Sequence, residues 1–152
     1  LAQGDVTIFD QFLVDLAEKL HDLENDEFKV ALITDAVTPS ATTSDPRWGA
    51  GGSTNLSSSQ VIPGGTYSTG GAAITNPAVT LTGGLAMFDG DDVSWSQDAS
   101  NPTDAALGIV YNNTDSGKRA IGYVDIGGEF DMTTGALSIA WSASGIIRIN
   151  QA

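Results

Sequence analysis

From Ala72 to the C-terminus, apolar residues recur in short alternating runs, and each run stops at a glycine-rich or polar turn. The runs are Ala72–Leu81, Leu85–Phe88, Val93–Trp95, Ala105–Tyr111, Ala120–Ile126, Ala136–Trp141 and Ile146–Ile149. A period of two puts every second side chain on one side of a strand, the signature of a sheet with one face buried. Leu107, Ile109 and Tyr111 share a face, and Ile121 and Tyr123 oppose Val124 and Ile126. Gly83-Gly84 is a two-residue hairpin signal. With the apolar stretch Phe28–Thr34, the pattern predicts about seven or eight short strands in an antiparallel β-sandwich or barrel, not alternating βαβ units.

Two segments depart from this pattern. Phe9, Phe12, Leu13, Leu16, Leu20 and Leu23 fall at steps of three and four, which predicts one helix over Phe9–Leu23, with Asp5 or Asp10 as its cap. From Thr38 to Gly71 the chain is rich in Gly, Ser and Thr, with Trp48, Leu56, Val61, Ile62 and Tyr67 as spaced apolar anchors. A connection that long is unusual in a compact fold and often functional. The spaced anchors predict an ordered arm packed on its own sheet or on a neighbour. The expected organisation is one domain over 1–152: a helical segment at 1–24, an arm at 38–71, and β structure elsewhere.

Composition narrows the function classes. At 41% hydrophobic the chain can form a core. Without cysteine it has no disulfide, thiolate metal site or Cys nucleophile. Nineteen acidic against 6 basic residues give a net charge of −13, and the six basic residues are scattered. Nucleic acid and anionic membranes require clustered cations, so neither is an expected partner. No run approaches the roughly 18 apolar residues of a membrane span, and the opening LAQGDVTIFD is not expected to be an export signal.

The chain offers few catalytic constellations. His21 is its only histidine, and no GxSxG elbow accompanies the many Ser and Thr residues. A histidine closing a helix is favoured there by the dipole, so His21 is expected to be structural. Asn112–Arg119 resembles a phosphate loop but has Asn112 for the first glycine and Arg119 after Lys118, so a β-turn is expected. Asp89-Gly90-Asp91-Asp92 could hold Ca²⁺ through oxygen ligands, but the EF-hand pattern fails at Val93-Ser94-Trp95, and an Asp-Gly turn is the plainer reading. Trp95 and Trp141 lie on alternating runs and are expected in the core, whereas Trp48 and Tyr67 in the arm are candidates for an exposed sugar platform. No catalytic, cofactor or metal residues are assigned.

The order of segments resembles a family of small virion proteins of tailed bacteriophages, over nearly the whole chain. The resemblance is carried by Phe28–Thr34, Tyr67–Ala72, Asp91–Trp95, Gly108–Asn112, Ile121–Asp125 and Ile139–Ile146 taken together. It implies a structural protein without cofactor, most simply a capsid decoration or cement protein. Such a protein binds the major capsid protein on the outside of the shell, as a homo-oligomer with a trimer favoured. Phe9, Phe12, Trp48, Leu56, Val61, Ile62 and Tyr67 are the expected partner-binding residues, on the N-terminal segment and the arm. The competing expectations are a tail or fibre component, a carbohydrate-binding sandwich using Trp48 or Tyr67 near Asp45, and a glycan hydrolase with two facing carboxylates.

Overall fold

The computed structural model describes residues 4–151. The central layer is a five-stranded antiparallel sheet built from β1 (Val6–Ile8), β2 (Phe28–Ile33), β5 (Ala72–Ala73), β9 (Ala105–Asn112) and β10 (Ala120–Phe130), in the order β1-β10-β9-β2-β5. β9 lies in the middle, and all eight of its residues are buried. Its sequence AALGIVYN therefore reads as a nearly continuous apolar run, because both faces need apolar side chains. It pairs with β2 from Phe28↔Asn112 to Ile33↔Leu107.

Two smaller sheets and a helix cover one face of the central sheet. β6 (Ala78–Thr82), β7 (Leu85–Asp89) and β12 (Ile147–Asn150) form a three-stranded sheet in the order β12-β7-β6, and β8 (Val93–Trp95) pairs with β11 (Leu137–Ile139). Phe28, Val30, Leu32, Val110, Ile121 and Val124 of the central sheet meet Phe88, Trp95, Ile139 and Ile147 of these sheets, with Phe12 of α1 (Asp10–Ala17). Phe28 and Phe88 pack edge to face at 5.3 Å. Each such side chain stabilises the fold by roughly 1.5–3 kcal/mol before entropy is counted. The result is a sandwich of open sheets, not a closed barrel. Trp95 and Trp141 are both in this core, as their alternation predicts.

The arm covers the opposite face. It contains the parallel pair β3 (Pro46–Arg47) and β4 (Thr54–Asn55) and a 3-10 turn at Leu56–Ser59. Leu56 packs with Phe9, Ala31, Ile33, Leu107, Ile109, Tyr111 and Ala120, and Trp48 stacks on Tyr111 at 5.3 Å and 18°. The arm then closes the outer edge of β2. Thr34 N–H donates to Ser59 O, Val61 N–H to Leu32 O, and Leu32 N–H to the Tyr67 hydroxyl at 2.9 Å. Gly71, at φ 76°, passes so close to Val30 that a Cβ would collide with its carbonyl.

Several sequence-based expectations change in detail. The helix ends at Ala17, not Leu23: Glu18 and Leu20 N–H groups bond back into the last turn, and Lys19 turns left-handed at φ 63°. Leu20 and Leu23 keep helical spacing outside the helix, and Leu23 packs on the core from a turn. Neither Asp5 nor Asp10 caps the helix; Phe9 holds that position without a side-chain bond. Ala72–Leu81 is split into β5 and β6 by Asn76, which is left-handed at φ 51°, and Pro77. β10 carries a register shift between Ala120 and Gly122. That bulge puts Ile121 with Val124 and Ile126 in one core cluster and leaves Tyr123 with the other, against the strict alternation. Among the described residues the strand count is twelve, because Ala72–Leu81 is two strands and β1, β3 and β4 are too short to leave a periodic trace. The hairpin at Gly83-Gly84 forms as expected, with φ 58° and 82° at the two loop residues.

Candidate functional site

His21 occupies the only buried ionic cluster among the described residues. Its ring lies between Phe12 and Phe28, at 5.4 Å and 6.4 Å. Asn112 fixes its state. Asn112 Oδ1 accepts from Thr114 N–H at 2.9 Å and Asp115 N–H at 3.0 Å, so its Nδ2 must donate, to Asp26 Oδ2 at 2.6 Å and to His21 Nδ1 at 3.1 Å. Nδ1 is then an acceptor, and the imidazole is neutral with its proton on Nε2. Nε2 has no hydrogen-bond partner and stands 4.0 Å from Asp15 Oδ2. Asp15 is also buried, with Arg119 Nε 3.9 Å away and Gln11 Nε2 donating to it at 3.0 Å. Arg119 Nη1 reaches both oxygens of Asp115 at 2.8 and 2.9 Å. The cluster ties the end of α1, the start of β2 and the β9–β10 turn together. Both ring nitrogens are sealed from solvent, so no substrate proton is within reach of His21 in this arrangement.

Burial lowers the His21 pKa from 6.5, against the opposing pull of Asp15, Asp115 and Asp26, and Arg119 adds to the lowering. The unfolded chain therefore binds a proton on His21 at a pH where the folded chain does not. Stability is full above 6.5, falls as pH drops from there to the folded value, and levels off below it. The slope in that window is at most about 1.4 kcal/mol per pH unit. Urea midpoints measured from pH 8 to 5 should show this decline, and His21→Gln, which keeps an acceptor for Asn112, should flatten it. An equal decline in the variant would assign the effect to other groups.

The carboxylates of Asp89–Asp92 diverge. Asp91 Oδ2 accepts from the Thr75 hydroxyl and Asn76 Nδ2, both at 2.6 Å, and these two bonds hold its pKa below the ordinary value. Asp92 Oδ1 accepts from Trp141 N–H, and the Asp91 carbonyl from Trp141 Nε1, both at 2.9 Å. Instead of the expected Asp-Gly turn, Asp89 ends β7 and Gly90–Asp92 form an irregular link to β8 that is fastened to Trp141. Among the described residues no group of three or more His, Cys, Asp or Glu side chains is placed to hold a metal. Asn112–Arg119 is the β9–β10 turn, as expected, with Lys118 at φ 49°.

The expected partner-binding residues divide sharply. Phe9, Phe12 and Leu56 are completely buried, and Val61 and Tyr67 nearly so, all against this chain's own core. Trp48 is half-buried, its ring lying on Tyr111, and its backbone N–H donates to Lys118 O. Only Ile62 stands free, 82% exposed. The two rings needed by a sugar platform are thus turned inward, and Asp45 is held by Arg47 through two bonds of 3.0 and 3.2 Å. Burial also raises the Tyr111 hydroxyl to about 12, with Glu27 adding to it, and that hydroxyl donates to Gly70 O at 2.8 Å. Asp35, Asp125 and Glu129 line an open groove of about 250 Å³ and are exposed to water.

One feature escapes motif and period reading. No Asp, Glu, Lys or Arg occurs between Arg47 and Asp89, so every charge of this acidic chain lies outside that segment. The segment's exposed part includes Ile62, β6 and the β6–β7 turn, where Leu81 is 75% exposed. A scan for charge-free stretches would have found it. Comparison of the chain with protein-family models, with curated proteins and with solved structures found no match.

Proposed function

We propose that this chain is a non-enzymatic structural protein of a tailed-bacteriophage particle, bound to the outside of the capsid as a decoration protein that stabilises the major capsid protein lattice. The ordered set of segments from Phe28 to Ile146 supports the phage assignment through its resemblance to small virion proteins. The observation that supports a docking role is Ile62, 82% exposed within a stretch that has no charged residue between Arg47 and Asp89, on a chain of net charge −13. Burying a charge in an interface is costly, and interface centres are depleted of charged residues. A scattered basic set suits a protein that faces away from packaged nucleic acid. Binding only to the assembled lattice stabilises it by mass action.

Ile62 is the side chain of the arm left over for a partner, whereas removing the arm would also remove Leu56 from the core. Ile62→Asp should leave the melting temperature within about 2 °C of the parent, since surface changes cost little. It should reduce occupancy of particles lacking their own copy at least tenfold in a co-sedimentation assay. Undiminished occupancy would remove the arm from the capsid contact.

A further inference from the structure

We infer that two copies of this chain pair through β6 about a two-fold axis, joining their three-stranded sheets into one six-stranded sheet. Thr82 and Leu85 flank a two-residue hairpin loop, so they form a hydrogen-bonded pair, as do Thr80 with Met87 and Ala78 with Asp89. Val79 and Leu81 therefore turn their N–H and C=O groups outward. β6 is an edge strand, and no described group bonds to those outward atoms. Edge strands are ordinarily guarded by charge, by proline, by a bulge or by a covering segment. The edge of β2 has such a cover in the arm. Ala78–Thr82 has no charge, no internal proline and no cover.

The side chains point to the same occupant. Val79, Phe88 and Ile147 are cross-strand neighbours on the core side of the small sheet. The next row on that side is Leu81, Ala86 and Ile149, with Leu81 75% and Ile149 42% exposed. Antiparallel pairing centred on Thr80 sets Val79 opposite Leu81 of the second copy, and Leu81 opposite its Val79, with about four backbone hydrogen bonds between them. The exposed Leu81 row of each copy then continues into the buried Val79 row of the other. Two chains of charge −13 repel, and this edge lies within the charge-free segment. A strand of unrelated sequence would satisfy the backbone, but the self-match of Leu81 with Val79 favours a second copy. The pairing rests on edge geometry and does not depend on the particle assignment. The trimer that the sequence resemblance implies is the competing arrangement.

Sedimentation equilibrium at tens of micromolar should give about twice the 15.6 kDa chain mass. Leu81→Pro removes an outward N–H that β7 does not use, so it should preserve the far-UV circular dichroism spectrum and weaken the dimer about tenfold or more. Because the chain has no cysteine, the register can be read by cross-linking. Thr80→Cys should form a disulfide dimer under mild oxidation. Ala78→Cys and Thr82→Cys should cross-link when mixed and not when alone. A monomeric or trimeric mass would overturn the inference, as would a dimer unaffected by Leu81→Pro or one that fails the Thr80→Cys cross-link. None of these outcomes bears on capsid binding, which the Ile62→Asp assay reads separately.

Discussion

Leu56→Ala should lower the unfolding free energy of the isolated chain by about 2–5 kcal/mol, the range for truncating a fully buried leucine. Leu56 is completely buried in one core cluster with residues of β2, β9 and β10, from a segment rich in Gly, Ser and Thr. The arm continues from Leu56 to the bonds that close the edge of β2. Loosening it therefore exposes Leu32 and Ile33 to water as well as leaving a cavity. At about 2–4 °C per kcal/mol for a chain of this size, the melting temperature should fall by roughly 5–15 °C. The effect should be the same with or without a partner, because the contact is intramolecular. A change below about 0.5 kcal/mol would mean that the arm does not dock on the sheet in solution.

Asn112→Ala should cost about 2–4 kcal/mol, since each buried polar group that loses its partner is left with its desolvation cost uncompensated. Asn112 is fully buried, and its amide serves four groups at once: Thr114 N–H, Asp115 N–H, His21 Nδ1 and Asp26. Alanine leaves the His21 acceptor unmatched between two phenylalanine rings and frees the turn that places Asp115 against Arg119. Burial by itself raises the Asp115 pKa, and the Arg119 bonds and charge outweigh it so that the net shift is downward. In Asn112→Ala that carboxyl should titrate closer to its ordinary value, which NMR titration of the Asp side chains can follow. Equilibrium urea unfolding measures the stability loss, and a loss under 1 kcal/mol would contradict the role given to this amide.

The sheet was legible wherever a strand is long and its two environments differ. β2 and β9 announce themselves because apolar residues are demanded on both faces. The end of the helix was not legible, because Leu20 and Leu23 keep the helical spacing outside the helix, with Leu23 packing on the core from a turn, and the break is a backbone reversal at Lys19 rather than a glycine or proline. The bulge at Ala120–Gly122 is equally silent in a pattern of uniform alternation. Within the arm, Leu56 and Ile62 have similar surroundings in sequence and opposite fates in space. Which of them meets the sheet depends on β9 and β10, some fifty residues further on, and no local period encodes that. The uncharged segment is readable in the sequence, but that β6 within it is a sheet edge follows only from the strand order. The phage reading rests on resemblance, whereas the arm and the mainly β architecture are readable from the residues, with the choice of sandwich over barrel made by the sheet order.

The central claim is that this chain decorates the outside of a phage capsid. The most direct measurement is a cryo-EM map of the particle whose genome encodes it, at a resolution sufficient to fit residues 4–151. Density for this sandwich is expected on the outer face of the shell, with Ile62 toward the major capsid protein. Density for the chain in the tail, in a fibre or inside the shell, or a mature particle that does not contain it, would contradict the account.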